Sequence, residues 1–522
     1  MPIFGVLGSL LTAGSTPLPM TSSSPLRLVI FVNGEQVSAE ILDADEHRVK
    51  LRLRGGSIVE TPNVFVSSIS QQPGWRDVLF EDFEPGTRRR TPFDPKLQLA
   101  QMGAAPSHVW VAGEQPARWQ FEPAQPLTSG RLSWTVLPNQ NGTTAGSVQL
   151  FFHTDSVPQS LSLRYSKSGN PNVSAENLRI GKYPIAPCKT PARWTVFFEK
   201  NRVQVLADDV VVASGDTNCG ALTKIEMDLD ANSAIAFDDL LLQTRWPDDV
   251  VTDDTTTMTQ DRDSLIFFDG NRLYGEMLQI DERNVVWKFG SQKIVSNWSD
   301  IREIQWSSRS DPSSPQTSIS GRIARVRFRS WIGVPATEKA DELELAILSL
   351  DDGRYEMDHP FLGTFACPRD QVATVTPIFA GTRTVVLSRP LLLGRSRTKW
   401  RGAFRVQIDD SGDNHFFRIV ESGLEPAGPA TFLASPYLRA LRDGHMTTEL
   451  WINNRRIAVL NESLSRRKPG SEIRVSIPDG IIQSGENTWE IRQTPLALDD
   501  LTFDECKIGP VSLETEPIDA SR

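Results

Sequence analysis

An internal repeat constrains this chain more than any other feature of its sequence. Residues 28–69 read LVIFVNGEQVSAEILDADEHRVKLRLRGGSIVETPNVFVSSI, and residues 264–304 read SLIFFDGNRLYGEMLQIDERNVVWKFGSQKIVSNWSDIREI. At one constant offset Asn33-Gly34 lies over Asp269-Gly270, Ile41-Leu42 over Met277-Leu278, Asp45-Glu46 over Asp281-Glu282, and Val49 over Val285. Asn-Gly and Asp-Gly between β-branched or aromatic runs mark hairpins, because both turn residues tolerate positive φ. Each copy is therefore expected to run strand, tight turn, strand, acidic turn, strand, and then a shorter strand. A unit of about 45 residues needs its neighbours to complete a core.

These units resemble small SH3- or Sm-like barrels, and they place one barrel at 25–75 and a second, with an extra hairpin, at 263–360. In that extra hairpin Arg325, Arg327 and Arg329 alternate on one strand, and Glu342 and Glu344 on the next. Opposite charges facing across a ladder are an ordinary sheet device, so cross-strand pairing is favoured over a basic ribbon for nucleic acid.

Between the copies, short apolar runs divided by Gly, Pro, Asn and Asp read as an antiparallel sandwich over 76–245. Strands are expected at 132–137, 147–153, 160–165, 194–199, 202–207, 210–213, 224–229 and 234–243. The series WTVFFEKNRVQVLADDVVVASGD from Trp194, with FEDFEPG at Phe80 and FDDLLLQ at Phe237, resembles concanavalin A-like (laminin G-type) sandwiches. The acidic, Thr-rich stretch at 246–262 reads as a linker. Over 361–518, WRGAFRVQI, TTELWINNRRIAVLN, IPDGIIQSGENTWEIR and LDDLTFDECKIGPVSLE resemble the galactose-binding-like jelly roll of carbohydrate-binding modules. One short helix is expected there, at 437–443, between Ser435 as N-cap and Gly444. The fold class is all-β: two antiparallel sandwiches or jelly rolls with two small barrel-like repeats.

Composition narrows the function. Hydrophobic residues make up 39% and charged residues 23% of the 522, enough apolar material to exclude a mainly disordered chain. A net charge of -10 argues against a surface built for nucleic acid, and no nucleic-acid partner is expected. All of that excess lies before residue 361, because 361–522 carry equal numbers of basic and acidic side chains. The first 24 residues hold an apolar run from Ile3 to Ala13 followed by small residues, resembling a signal peptide without its basic start. No stretch reaches the ~18 apolar residues of a membrane span, so an integral membrane protein is not expected. The four cysteines contain no C-x-x-C pair, which sets zinc ribbons aside. Bridges Cys188–Cys219 and Cys367–Cys506 would suit an oxidising compartment, with four buried thiols as the alternative. A secreted, periplasmic or cell-surface location is expected.

Six scattered histidines, with no HxH or HxxxH, give no metal motif, and no Walker loop, GxSxG or GxGxxG opens a helix. Glu226, Asp228 and Asp230 in IEMDLD alternate on one strand face, the arrangement in which a glycosidase would hold its acid and nucleophile. A solvated strand face is the favoured reading. No cofactor is expected beyond a structural calcium, whose candidates are Asp238, Asp239, Asp499 and Asp500. The ligand-binding candidates are Trp400, Arg401, Arg397, Trp451, Arg455 and Arg456, where Trp lies beside clustered Arg. Trp134, Trp194 and Trp287 are expected in cores. The sequence thus points to a non-catalytic exported protein that binds carbohydrate or another surface polymer, or serves in a cell envelope as a structural or adhesion component. Its partners would be a polysaccharide or glycoconjugate, itself, or other envelope proteins. A glycoside hydrolase or polysaccharide lyase, and a protein–protein assembly scaffold, are the alternatives.

Overall fold

The computed structural model describes residues 25–53, 56–81, 83, 98–101, 108–112, 114–138, 146–154, 158–165, 171–176, 181–182, 192–208, 210–216, 218–245, 262–281, 284–307, 316–329, 341–351, 353–388, 391–393, 398–407, 413–423, 446–461, 472–495 and 506–517. They form antiparallel β-sheets, so the all-β expectation holds. The expected helix at 437–443, the linker at 246–262 except for Arg262, and the first 24 residues lie outside the described residues.

Both repeat copies are runs of five antiparallel strands. The first consists of Leu26–Phe31, Gln36–Asp45, Arg48–Arg52, Ile58–Pro62 and Val66–Gln71, with a 3-10 turn at Asn63–Phe65. The second consists of Asp263–Phe267, Arg272–Ile280, Asn284–Phe289, Gln292–Asn297 and Ile301–Gln305, with its turn at Trp298–Asp300. In each, the first strand pairs with the second and fifth, the second with the third, and the third with the fourth. The Asn-Gly and Asp-Gly turns close as expected, with Gly34 at φ 86° and Gly270 at φ 85°.

A third copy follows that the sequence reading divides. Thr317–Phe328, Glu342–Asp351, Arg354–His359, Gly363–Pro368 and Val372–Leu387, with a 3-10 turn at Arg369–Gln371, pair in the same order. The register slips after Ile41, Met277 and Ile347 at corresponding points of the three second strands. The expected hairpin therefore opens a third run of five antiparallel strands. Position 360 falls inside the turn joining its third and fourth strands.

The copies interlock. Fifth strands of copies one and two run antiparallel, Ile69 opposite Ile304, and their second strands meet with Ala44 opposite Ile280. Copies one and three meet at Gln36 and Glu342 and along their fourth strands, where Ser57 Oγ donates to Ala366 O (2.7 Å) and accepts from Ala366 N (3.2 Å). One apolar core runs through all three and includes Phe31, Trp287 and Phe365.

The first sandwich packs two sheets. One has the strand order Gly181–Lys182, Val210–Asp216, Arg202–Ala207, Ala192–Glu199, Gly130–Pro138, Ile235–Arg245, His108–Val111, Gln98–Gln101, with Trp75–Glu81 also on Ile235–Arg245. The other runs Pro171–Glu176, Pro158–Tyr165, Gly146–His153, Ala221–Leu229, Ala117–Phe121. Trp134 and Trp194 lie fully buried between them, as Trp287 does in the barrels. Cys219 is a free buried thiol that donates to Glu199 O (2.8 Å), and its expected bridge partner Cys188 lies outside the described residues. Burial pushes that thiol up from its ordinary pKa. Cys367 is buried in the barrel core; Cys188 and the side chain of Cys506 lie outside the described residues.

The third barrel runs straight into the C-terminal sandwich, because Val372–Leu387 pairs first with Thr317–Phe328 and then with Cys506–Glu516. Asn414–Gly423 and Glu472–Ile477 extend that sheet. A four-stranded sheet packs across it through Phe404, Leu450, Ile452, Trp489 and Ile491.

Candidate functional site

The four-stranded sheet has the order Lys399–Val406, Gly485–Pro495, Met446–Ile452, Arg455–Val459. Its last hairpin turns on Asn453 and Asn454, both at positive φ (48° and 61°), the backbone of a two-residue primed turn. Strand alternation then sorts the side chains. Leu450, Ile452, Trp489 and Ile491 enter the core, so Glu449, Trp451, Glu490 and Arg492 face outward.

Register lines these outward residues into two cross-strand rows. Arg401 opposes Glu490, Glu490 opposes Trp451, and Trp451 opposes Arg456. In the next row Lys399 opposes Arg492, and Arg492 opposes Glu449. The half-buried Trp451 indole is held from two directions. Its Nε1 donates to Glu449 Oε2 (2.9 Å), and the Arg492 guanidinium stacks 3.7 Å from the ring centroid. Glu449 also meets Arg456 at 3.3 Å and Arg492 at 3.4 Å, while Glu490 meets Lys399 at 2.8 Å. Burial pushes the Glu449 carboxyl up, but hydrogen bonds from Trp451, Arg456 and Arg492 outweigh it and hold the group below the usual carboxylate range. Arg401 is exposed and makes no ion pair among the described residues. These two rows carry four cations, Lys399, Arg401, Arg456 and Arg492, against two carboxylates, Glu449 and Glu490.

Of the expected ligand residues, the structure joins Arg401, Trp451 and Arg456 in one row. Arg455 is exposed beside the turn, opposite Ile452. Trp400 is a correction: it opposes Ile491 and packs on the core, on the opposite side of the sheet. Arg397, Asp499 and Asp500 lie outside the described residues. Sequence reasoning missed Glu449, Glu490 and Arg492, although the alternation in TELWI and NTWEIRQ carries the signal.

The acidic run lies on the outward face of the five-stranded sheet, since Ile225, Met227 and Leu229 are buried. Glu226 is engaged by Lys224 (2.5 Å) and Asp228 by Arg118 (2.6 Å), and Asp230 lies beyond the strand, exposed. The Glu226 side chain is 12% exposed and that of Asp228 24%. Asp238 and Asp239 are buried at a break in register, with Asp239 at φ 52° and its N–H donating to Asp238 Oδ1 (2.9 Å). No group of three or more candidate metal ligands occurs among the described residues.

A cleft of about 620 Å³ opens where copies one and three meet the C-terminal sandwich. Its wall is an ion network centred on Glu344, which pairs with Arg325 (2.6 Å), Arg383 (2.6 Å) and Arg418 (2.9 Å). Burial opposes the Glu344 charge, yet the three guanidiniums bring its pKa down to about 2. Arg325 opposes Glu344 and Arg327 opposes Glu342 in register, so the expected cross-strand pairing is present. These arginines are committed to carboxylates of copy three and of the C-terminal sandwich, which marks the network as a joint between those two units.

No protein-family model matches the chain. No curated protein matches it in sequence. Among solved structures it is similar to the carbohydrate-binding module CBM66 from Bacillus subtilis, at 9% identity over 33% of this chain and 95% of that one, with a TM-score of 0.20. It is also similar to a protein of unknown function with a galectin-like fold from Bacillus subtilis, at 12% identity over 29% of this chain and 89% of that one, with a TM-score of 0.22. A GlcNAcα1-4Gal-releasing endo-β-galactosidase from Clostridium perfringens aligns at 8% identity over 59% of this chain and 98% of that one, with a TM-score of 0.25.

Proposed function

We propose that this chain is a non-catalytic, exported binding protein whose C-terminal four-stranded sheet holds an acidic polysaccharide or glycoconjugate. The row Arg401, Glu490, Trp451, Arg456 is the observation that carries this reading. A sheet face is flat enough to lie along a polymer, and an indole fixed at its edge and on one face offers apolar surface to a sugar ring without losing rotamer freedom on binding. Arginine forks on either side supply paired donors for a uronate or sulfate group. Glu490 supplies an acceptor for hydroxyls. Catalysis is not part of the reading, because Glu226 and Asp228 are each engaged by a cation.

Affinity electrophoresis against sulfated, uronate-bearing and neutral polysaccharides tests it. Retardation is expected on the acidic polymers and should weaken as salt rises, because exposed charges are screened. Trp451→Ala and Arg401→Ala should each weaken it by about tenfold, or about 1.4 kcal/mol. Equal mobility of the wild type and both variants on every polymer would discard the reading.

A further inference from the structure

The three barrels treat their fourth strands differently. In copies one and three these edges cover each other through Ser57 and Ala366. In copy two, among the described residues, Gln292–Asn297 pairs with Asn284–Phe289 and with no other strand. Pairs Leu51–Val59, Trp287–Ile294 and Met357–Phe365 align the three hairpins, which makes Val295 the counterpart of Ala366. Ala366 is the residue through which copy three is gripped by its neighbour. Val295 is 60% exposed, and Phe289 at the hairpin end is 49% exposed.

An open strand edge is a template for pairing, and proteins usually blunt it with charge. The outer strands of the C-terminal sheet follow that rule, with Lys399, Arg401 and Arg405 on one and Arg455 and Arg456 on the other. Gln292–Asn297 carries a single charge, Lys293.

We infer that this edge binds the same edge of a second copy of the chain, forming a two-fold dimer through a continuous antiparallel sheet. The intramolecular contacts argue for that occupant: this barrel type already meets its own kind antiparallel, fifth strand to fifth and second to second. A two-fold axis normal to the sheet pairs residues of equal parity. Centred on Val295, it sets the two Val295 side chains against each other and Lys293 opposite Asn297 of the second copy. No like charges then face across the ladder, and the most exposed apolar side chain on the strand is covered.

The test is the mass of the full-length protein by light scattering after size exclusion, at about 1 to 100 µM, where a contact of micromolar strength is half populated. Twice the chain mass is expected at the upper end. Val295→Glu sets two carboxylates face to face and should raise the dissociation constant at least about tenfold. An equimolar mixture of Val295→Glu and Val295→Lys chains should restore the dimer, which misfolding could not do. A wild type that stays monomeric throughout leaves the edge to some other partner and overturns the inference. So does a Val295→Glu variant that dimerises like the wild type, or a mixture that stays monomeric.

Discussion

Glu344 shows how one side chain fixes a joint. Burial alone would drive its carboxyl toward the neutral form, and three arginines reverse that, to a pKa of about 2. A folded-state pKa below the unfolded value of 4.5 means that the charged form stabilises the fold fully above pH 4.5. That contribution is lost as pH falls from 4.5 toward 2. Linkage puts it on the order of 3 kcal/mol. Urea midpoints measured between pH 7 and pH 2.5 should therefore fall more steeply for the wild type than for Glu344→Gln. At pH 7 the same variant strands Arg383 and Arg418 without their shared carboxylate, and it should be less stable by about 3 kcal/mol or more. Similar midpoints for the two proteins at pH 7 would mean that water and the remaining carboxylates compensate the arginines.

At the scale of elements, strands with strong alternation and clear turns were legible. The expected strand at 202–207 is Arg202–Ala207, and the other seven differ by a few terminal residues. The third barrel was not legible as a barrel, because its first hairpin lacks the Asn-Gly or Asp-Gly that marks the other two. A longer connection separates Phe328 from Glu342 there. Trp400 was misplaced for a related reason. A Trp followed by Arg on a strand has one side in the core and one in water, and only cross-strand register says which. The turn at Asn453 illustrates what local chemistry does specify. Its φ of 48° disfavours Ala, and its side chain donates to Ile481 O (2.8 Å) and Asn487 Oδ1 (2.8 Å) and accepts from Thr488 N (2.8 Å). Asn453→Ala should cost about 2 to 4 kcal/mol in chemical denaturation, combining backbone strain with lost hydrogen bonds. Asn454→Gly, which keeps the positive φ, should cost less than about 1 kcal/mol.

Across the whole molecule, sequence distance and structural unit part company. Copy one and copy two are separated by the entire first sandwich, yet they share a sheet and a core. A buried polar knot ties all three together. Arg27 pairs with Asp77 at 2.6 Å and lies 4.5 Å over the Trp298 ring. Gln243 Nε2 donates to Asp77 Oδ1 (2.6 Å), and Gln71 Nε2 donates to Ile301 O (2.8 Å). Such a knot favours one relative placement, since removing any member leaves a buried polar group unpaired. A protease site inserted within 246–261 tests this integration directly. After cleavage, the fragment ending near 250 and the fragment carrying copies two and three should elute together under native conditions and separate in denaturant. Separation without denaturant would show that the shared sheet does not hold the barrels. With Asp77→Leu, which deprives Arg27 of its partner, the cut halves should come apart at a lower urea concentration than in the wild type.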